Sequence, residues 1–259
     1  MSTRYDVHTD SIIQMLIAEA AADPDVIGLV LTGSRAVGAV APESDYDVIF
    51  VVTDEALARY EKTQTTPVRG ATITPPISTA DIWNDSPSHL QRDTIVSWML
   101  PAYAEARVLF DRTGETTRVI DALRQIPADQ AQAAVASWYD AYLNGLYRSL
   151  KSWRRGNKLG GRMEAAQTAD YLLHLLFALE RHWRPYSSRL IFHLDKLEPQ
   201  GWRAGEVRDI LLDLISTGDP GRQQILAGRV AALLRERGFG HVYDGWDGHI
   251  DQALRWDFS

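Results

Sequence analysis

The first half of the chain alternates short apolar runs with amphipathic segments. Branched apolar residues dominate "VIGLVLT" from Val26 and "DVIFVV" from Asp47, which predicts two buried strands. Apolar positions three and four residues apart follow Asp10 and Ser11. Either of these two residues can cap the helix that this spacing predicts, and the Asp-Pro pair at 23–24 ends it. Helices and strands therefore share the N-terminal part of the chain.

The rest of this half carries weaker patterns of the same two kinds. "TDEALARYEKT" from Thr53 predicts a short capped helix, and residues 88–99 predict another. "RGATIT" and "ISTADIW" indicate extended chain, but Pro75 and Pro76 lie between them, which is typical of an edge, a bulge or a hairpin. "ARVLFD" from Ala106 predicts one more strand.

After Pro127 the pattern becomes helical, because long stretches rich in Ala, Leu and Arg replace the strand-like runs. The helices predicted there are Asp129–Arg155, Arg162–Arg181, Ser187–Leu197, Ala204–Ile215 and Asp219–Arg237. We place the boundary after residue 115, which gives an N-terminal domain of residues 1–115 and a C-terminal domain of residues 116–259. The expected fold class is α+β, followed by an all-α helical bundle.

Composition narrows the classes of function. The chain has 259 residues, of which 45% are hydrophobic and 24% are charged, with no run of about eighteen apolar residues. The absence of cysteine excludes disulfides, thiolate metal sites and thiol catalysis. A net charge of -7 argues against nucleic acid and favours a small-molecule partner. The N-terminus has no secretory signal pattern, so we expect a cytoplasmic protein without a membrane anchor.

Candidate chemistry concentrates in "LTGSRAVGAVAPESDYDVIFVV". Asp45 and Asp47 are separated by one residue at the start of a predicted strand, so they share one side of it, about 6 to 7 Å apart. Such a pair suits Mg²⁺, which binds one or two carboxylates together with substrate phosphates. Gly33 lets the backbone pass close to a ligand, and Ser34 adds a hydroxyl and begins a helix whose N–H groups suit phosphate. Taken singly, each feature is equally typical of turns and caps.

The combination resembles the signature of the DNA polymerase beta-like nucleotidyltransferase superfamily. In that family Gly-Ser is followed nine to thirteen residues later by Asp-x-Asp on a strand, and Gly33, Ser34, Asp45 and Asp47 match. "SRAVG" and "SDYDV" also resemble bacterial small-molecule nucleotidyltransferases. The resemblance covers roughly residues 26–83 and implies a mixed sheet with the site on one face.

The resemblance also implies a third carboxylate on a later strand. Asp81 in "ISTADIW" is the best match, and Asp85 and Asp93 are the alternatives. The implied activity is transfer of a nucleoside monophosphate, AMP from ATP, to a hydroxyl of a small molecule. Two Mg²⁺ ions would be held by Asp45, Asp47 and Asp81.

The phosphates in such a site would need groups that bind them and cations that offset their charge. Ser34 and the backbone at Gly33 would hold the β- and γ-phosphates, with Arg35 beside them. In the helical half, Arg148 and Lys151 share one helical face with Arg155, which fits a phosphate-binding row or a solvated basic face. Both readings stay open from the sequence alone.

The helical half resembles, more softly, the C-terminal domains of aminoglycoside-type nucleotidyltransferases. Those proteins often have Pro-Tyr-Asn-Lys where this chain has residues 185–188, Pro-Tyr-Ser-Ser, which leaves Arg184 or Arg189 as a substitute for the lysine. Glu105 and Glu164 are candidates for a general base. The alternative function is a toxin–antitoxin or regulatory nucleotidyltransferase that acts on, or binds, a protein or RNA.

Overall fold

The computed structural model describes residues 5–42, 44–63, 80–91, 95 and 98–258, with the backbone alone for residues 80 and 81. The chain divides into two compact units, residues 1–125 and residues 126–259. The first unit contains all four described strands and the second is helical. The predicted fold class, α+β followed by a helical domain, is confirmed.

A mixed four-stranded sheet forms the centre of the first unit. Its strands are β1 (Val26–Leu31), β2 (Tyr46–Val52), β3 (Ala80–Asp85) and β4 (Arg107–Asp111). They lie in the order β3-β2-β1-β4. β1 pairs antiparallel with both β2 and β4, whereas β3 runs parallel to β2. The mixed sheet that the family resemblance implies is therefore present.

The two central strands are buried because apolar residues occupy both of their faces. In β1 all residues except Ile27 are buried, and in β2 all except Asp47. Val26, Leu29, Val48 and Phe50 are fully buried in a cluster that also includes residues of the first helix. Continuous apolar runs of this kind are typical of strands covered on both sides. The exception in β2 is therefore informative, because Asp47 interrupts an otherwise apolar strand.

In the described part of the first unit, helices alternate with the strands along the chain. They are α1 (Ser11–Ala22), α2 (Gly33–Val37), α3 (Asp54–Thr63), α4 (Leu100–Ala104) and α5 (Glu115–Leu123). The cap predicted at Asp10 is confirmed, because its Oδ1 accepts hydrogen bonds from the N–H groups of Ile12 and Ile13. Thr53 caps α3 in the same way, accepting from Ala56 at 3.2 Å.

The helix predicted over residues 88–99 is wrong where the structure describes that segment. Residues 86–91 form turns, and the helix of this region, α4, begins only at Leu100. Pro101 explains the late start, because proline suits the first helical turn and its ring cannot follow an established helix. The extended stretch predicted around "RGATIT" lies outside the described residues.

The second unit is built on two long helices, α6 (Ala128–Arg154) and α7 (Lys158–Leu179), which pack against each other. Two 3₁₀ helices follow, and then α8 (Glu206–Ser216), α9 (Pro220–Glu236), α10 (Gly240–Asp244) and α11 (His249–Leu254). Tyr139, Tyr142, Leu175 and Phe177 are among the fully buried residues of its core. Four of the five predicted helices are confirmed to within a few residues.

The fifth predicted helix, over residues 187–197, is instead two 3₁₀ helices, Ser187–Phe192 and Leu194–Gln200. The first 3₁₀ helix has no buried side chain, so an α-helix with one apolar face would have buried no more apolar surface there. Pro199 lies within the second and lacks the N–H that an α-helix would require. Among the residues described, no helix is both long and apolar enough to cross a membrane.

Candidate functional site

The two carboxylates of the Asp-x-Asp pair lie at the start of β2. Asp45 directly precedes the strand and Asp47 is its second residue. Both are partly exposed, whereas Tyr46 between them is buried. This alternation follows from the period of two in a strand, which sends Asp45 and Asp47 to one side and Tyr46 to the other. That the two carboxylates act together at one site stays a prediction.

The sheet register places Asp81, the third candidate, opposite Asp47. β2 and β3 pair in parallel, with Asp47 opposite Asp81 and Val51 opposite Asp85. Neighbouring strands lie about 4.8 Å apart, so Asp47 and Asp81 are adjacent register positions. Asp85 lies four residues further along β3, about 13 Å from Asp81 by strand rise. The remaining alternative, Asp93, lies outside the described residues.

Asp85 has partners of its own at the other end of the strand. Its carboxylate accepts a hydrogen bond from the Ser86 N–H at 2.9 Å and one from the Tyr103 hydroxyl at 3.5 Å. Burial raises the pKa of Asp85, and the Ser86 N–H and the nearby His89 oppose that rise. These contacts explain Asp85 as a residue of the local structure, away from the Asp45 and Asp47 pair.

The turn between β1 and α2 packs directly against Asp47. The Thr32 N–H donates to the Asp47 carbonyl at 2.8 Å, which holds the turn beside the strand. Gly33 has a φ of +73°, and a Cβ built there would lie 1.7 Å from Oδ2 of Asp47. Only glycine therefore fits, for both its backbone conformation and the space it leaves. The Gly-Ser element and the Asp-x-Asp element form one contiguous surface.

Ser34 brings an unsatisfied hydroxyl to this surface. Its Oγ is buried, and none of the described residues forms a hydrogen bond with it. A buried hydroxyl without a partner costs free energy, which a ligand, a water or an ion bound at this turn would offset. The helix that Ser34 enters, α2, has only five residues, so the predicted contribution of its N–H groups to phosphate binding is small.

Arg35 is committed to protein partners. Its Nε donates to the Asp45 carbonyl at 2.8 Å and its NH2 donates to the Ser44 carbonyl at 2.9 Å. The guanidinium lies 3.7 Å from the ring centroid of Tyr46 and forms an ion pair with Asp10 at 3.6 Å. The phosphate contact expected for Arg35 stays a prediction. Its observed contacts instead tie it to the segment that carries Asp45.

The sequence reading missed this network because Asp10 signalled only a helix cap. Its other partners, Tyr5, Arg35 and Tyr46, come from separate parts of the chain. No spacing rule links a cap residue to a side chain 25 or 36 positions later. Predicting the network would have required pairing two tyrosines and an arginine with one acidic cap residue.

The predicted phosphate-binding row lies on α6 of the second unit. Arg148 forms an ion pair with Glu164 of α7 at 2.5 Å, and Lys151 lies 5.7 Å from the ring centroid of Tyr147. Arg155, at the end of the same helix, is exposed. Glu164, a candidate base, is therefore the partner of a candidate phosphate ligand. Their roles toward a nucleotide stay predictions.

The structure also describes Glu105, the other candidate base, and Arg184, a candidate substitute for the missing lysine. Glu105 closes α4 just before β4, whose first residue Arg107 pairs with Leu31 at the same end of β1 as Gly33. Arg184 donates to Asp170 at 2.6 Å and to Ser187 at 3.0 Å, so it is held within the helical unit. Glu105 thus lies at the end of the sheet that carries the Gly-Ser turn.

The donor set fits Mg²⁺. Within the described ranges no three His, Cys, Asp or Glu side chains group closely enough to hold a metal ion, but the side chain of Asp81 lies outside those ranges. Asp45 and Asp47 supply carboxylate oxygens, which hard cations prefer, and the unsatisfied Ser34 hydroxyl belongs to the turn that packs against Asp47. Carboxylate oxygens are the ligand type that Mg²⁺ prefers, and a hydroxyl is a donor that phosphate accepts.

Comparisons with known proteins leave the reaction open. Residues 94–189 match the model of a family described as a domain of unknown function, DUF4037. None of the curated proteins compared with the chain matches it. A solved structure, a nucleotidyltransferase-like protein from Exiguobacterium sibiricum 255-15, is 12% identical, with a TM-score of 0.47. The similarity covers 89% of this chain and 76% of that one, and a likeness this distant does not identify a reaction.

Proposed function

We propose that this protein is a Mg²⁺-dependent nucleotidyltransferase that moves AMP from ATP to a hydroxyl of a small molecule. The observation that carries the proposal is the contact between the Gly-Ser turn and the Asp-x-Asp strand. Gly33 leaves space beside Oδ2 of Asp47, and the adjacent Ser34 hydroxyl is buried without a partner. A phosphate bound at this turn would satisfy that hydroxyl while lying next to the carboxylates.

The register of β2 and β3 supports the same assignment. Asp47 and Asp81 are neighbouring register positions, and Asp45 precedes Asp47 by two residues. Carboxylates at Asp45, Asp47 and Asp81 would repel one another at such a site unless cations neutralised them. When bound, Mg²⁺ would supply neutralisation of the triphosphate and acidification of the acceptor hydroxyl.

The chain's own residues would divide the remaining work. Asp45 and Asp47 would hold Mg²⁺ and through it the triphosphate, and the Ser34 hydroxyl would donate a hydrogen bond to a phosphate oxygen. The Gly33 backbone allows the close approach of the phosphates. Asp81 would complete the cation site on the side of the acceptor hydroxyl. Glu105 is the candidate that accepts the proton of that hydroxyl, since it lies at the same end of the sheet.

The assignment of the third carboxylate predicts different outcomes for two substitutions on one strand. Asp81→Asn should lower turnover by about a hundredfold while ATP binding is largely preserved, because its carboxylate serves the acceptor side. Asp85→Asn, at the other end of β3, is the matched control and should leave turnover near the wild-type value. Steady-state rates and ATP titrations of both variants test whether Asp81 is the third carboxylate. Normal turnover of Asp81→Asn with loss in Asp85→Asn would move the role to Asp85.

The phosphate role of α6 predicts a nucleotide-specific effect. Lys151→Glu should weaken ATP binding and leave AMP binding nearly unchanged, because AMP lacks the β- and γ-phosphates. Lys158→Glu carries the same charge change on an exposed position of the same unit and is the control.

Mg-ATP at a hundredfold excess over its dissociation constant should stabilise the wild-type protein by about 2.7 kcal/mol, measured by thermal unfolding. Equal losses for ATP and AMP, or the same loss in both variants, would reject the contact.

A further inference from the structure

Asp45 lies in a segment that strand hydrogen bonds do not fix. β2 begins only at Tyr46, so Asp45 is the last residue of the loop that follows α2. A loop carboxylate that is meant to hold a cation needs other support, because a misplaced ligand loses affinity steeply. In this chain the support comes from Arg35.

Arg35 fixes the backbone on which Asp45 is carried. Its guanidinium donates to two consecutive carbonyls, those of Ser44 and Asp45, at 2.9 and 2.8 Å. A planar guanidinium that binds two carbonyls restrains both the position and the orientation of the peptide between them. The contact is to the backbone, so the Asp45 carboxylate stays available for a ligand.

Arg35 is in turn held from two sides. Its guanidinium stacks on the ring of Tyr46 at 3.7 Å, and it forms an ion pair with Asp10. The side chains of Arg35 and Asp10 are 12% and 11% exposed, so water screens this pair weakly. Asp10 is anchored by capping α1 and by the hydroxyls of Tyr5 and Tyr46, at 3.1 and 3.0 Å.

We propose that Asp10 and Arg35 are positioning residues that set the divalent-cation affinity of the Asp45 and Asp47 site. This inference rests on the proposed function, because it assigns the clamp to the same cation site. It makes Asp10, the cap at the start of α1, part of the support of the site. It also gives the Arg of "GSRAV" a role distinct from binding phosphate.

The test measures Mn²⁺ affinity directly, by electron paramagnetic resonance of free and bound Mn²⁺, without and with ATP. Arg35→Met removes the donors and keeps much of the apolar stem. Arg112→Met is the matched control, because Arg112 also donates to several backbone carbonyls in the same unit and lies near the ring of Phe110. Both variants should lose stability, but only Arg35→Met should weaken Mn²⁺ binding, by about tenfold or more.

A second variant separates positioning from folding. Asp10→Asn keeps a side-chain oxygen that can cap α1 but removes the charge that holds Arg35. It should weaken Mn²⁺ binding in the same direction as Arg35→Met, while its thermal transition stays cooperative. Wild-type Mn²⁺ affinity in a folded Arg35→Met or Asp10→Asn protein would overturn the inference and leave the proposed function standing. A wild-type protein that binds no Mn²⁺ would overturn both.

Discussion

Asp47→Asn should lower nucleotidyl transfer by at least about a hundredfold while the protein stays folded. The substitution removes one negative charge from the row that Asp47 shares with Asp81, and with it a metal ligand. Its main-chain carbonyl, which accepts a hydrogen bond from Thr32, is unchanged. Asp47 is partly exposed, so a neutral amide fits there without a large cost in stability. Turnover at saturating Mg²⁺ and a thermal melt are the two measurements.

Asp54→Asn is the control for the change in charge. Asp54 lies just beyond the other end of β2, in the first turn of α3, and is exposed. Its loss changes the net charge of the unit by the same amount without touching the carboxylate row. Transfer by Asp54→Asn should stay near the wild-type rate. Most of the wild-type turnover in Asp47→Asn would show that the assignment of Asp47 as a metal ligand is wrong.

Gly33→Ala should abolish transfer and also destabilise the protein. A Cβ at this position would lie 1.7 Å from Oδ2 of Asp47, so either the turn or the carboxylate must move. The positive φ of +73° adds about 1 to 2 kcal/mol of backbone strain for any residue with a Cβ. Displacing Asp47 should weaken both Mn²⁺ and ATP binding, which titrations of the variant would detect.

The chain supplies a matched control for the strain in Gly38→Ala. Gly38 has almost the same φ, +77°, but a Cβ there meets nothing within 4 Å. It should therefore lose a similar amount of stability from strain alone and keep its Mn²⁺ affinity. If Gly33→Ala and Gly38→Ala behave alike in Mn²⁺ binding, the close packing of the turn against Asp47 has no functional meaning.

The local elements of the site could be predicted from the sequence because their signals are local. Two runs of branched apolar residues predicted β1 and β2, and Asp10 before an amphipathic run predicted the cap of α1. The spacing of Asp45 and Asp47 placed both on one side of the chain, since strand periodicity is fixed. The predictions failed where a single proline decided the outcome, as at Pro101 in the first turn of α4.

Relations between distant segments could not be predicted in the same way. The pairing of Asp47 with Asp81 depends on which strand lies beside β2 and with what offset, and a shift of one residue would send Asp81 to the other face. The partners of Arg35 depend on where α1 packs. The sequence suggested a phosphate ligand because the residue follows Gly-Ser, whereas its hydrogen bonds run to Ser44 and Asp45.

The most direct test of the proposed function follows the phosphorus atoms of ATP. The protein is incubated with Mg²⁺ and ATP radiolabelled at either the α- or the γ-phosphate, together with aminoglycosides, lincosamides, proteins and tRNA as acceptors. Asp47→Asn runs in parallel. We predict that the α-label enters a small hydroxylated acceptor, that the γ-label leaves as pyrophosphate, and that Asp47→Asn transfers neither. Transfer of the γ-label, undiminished transfer by Asp47→Asn, or no α-label in any acceptor would contradict the account.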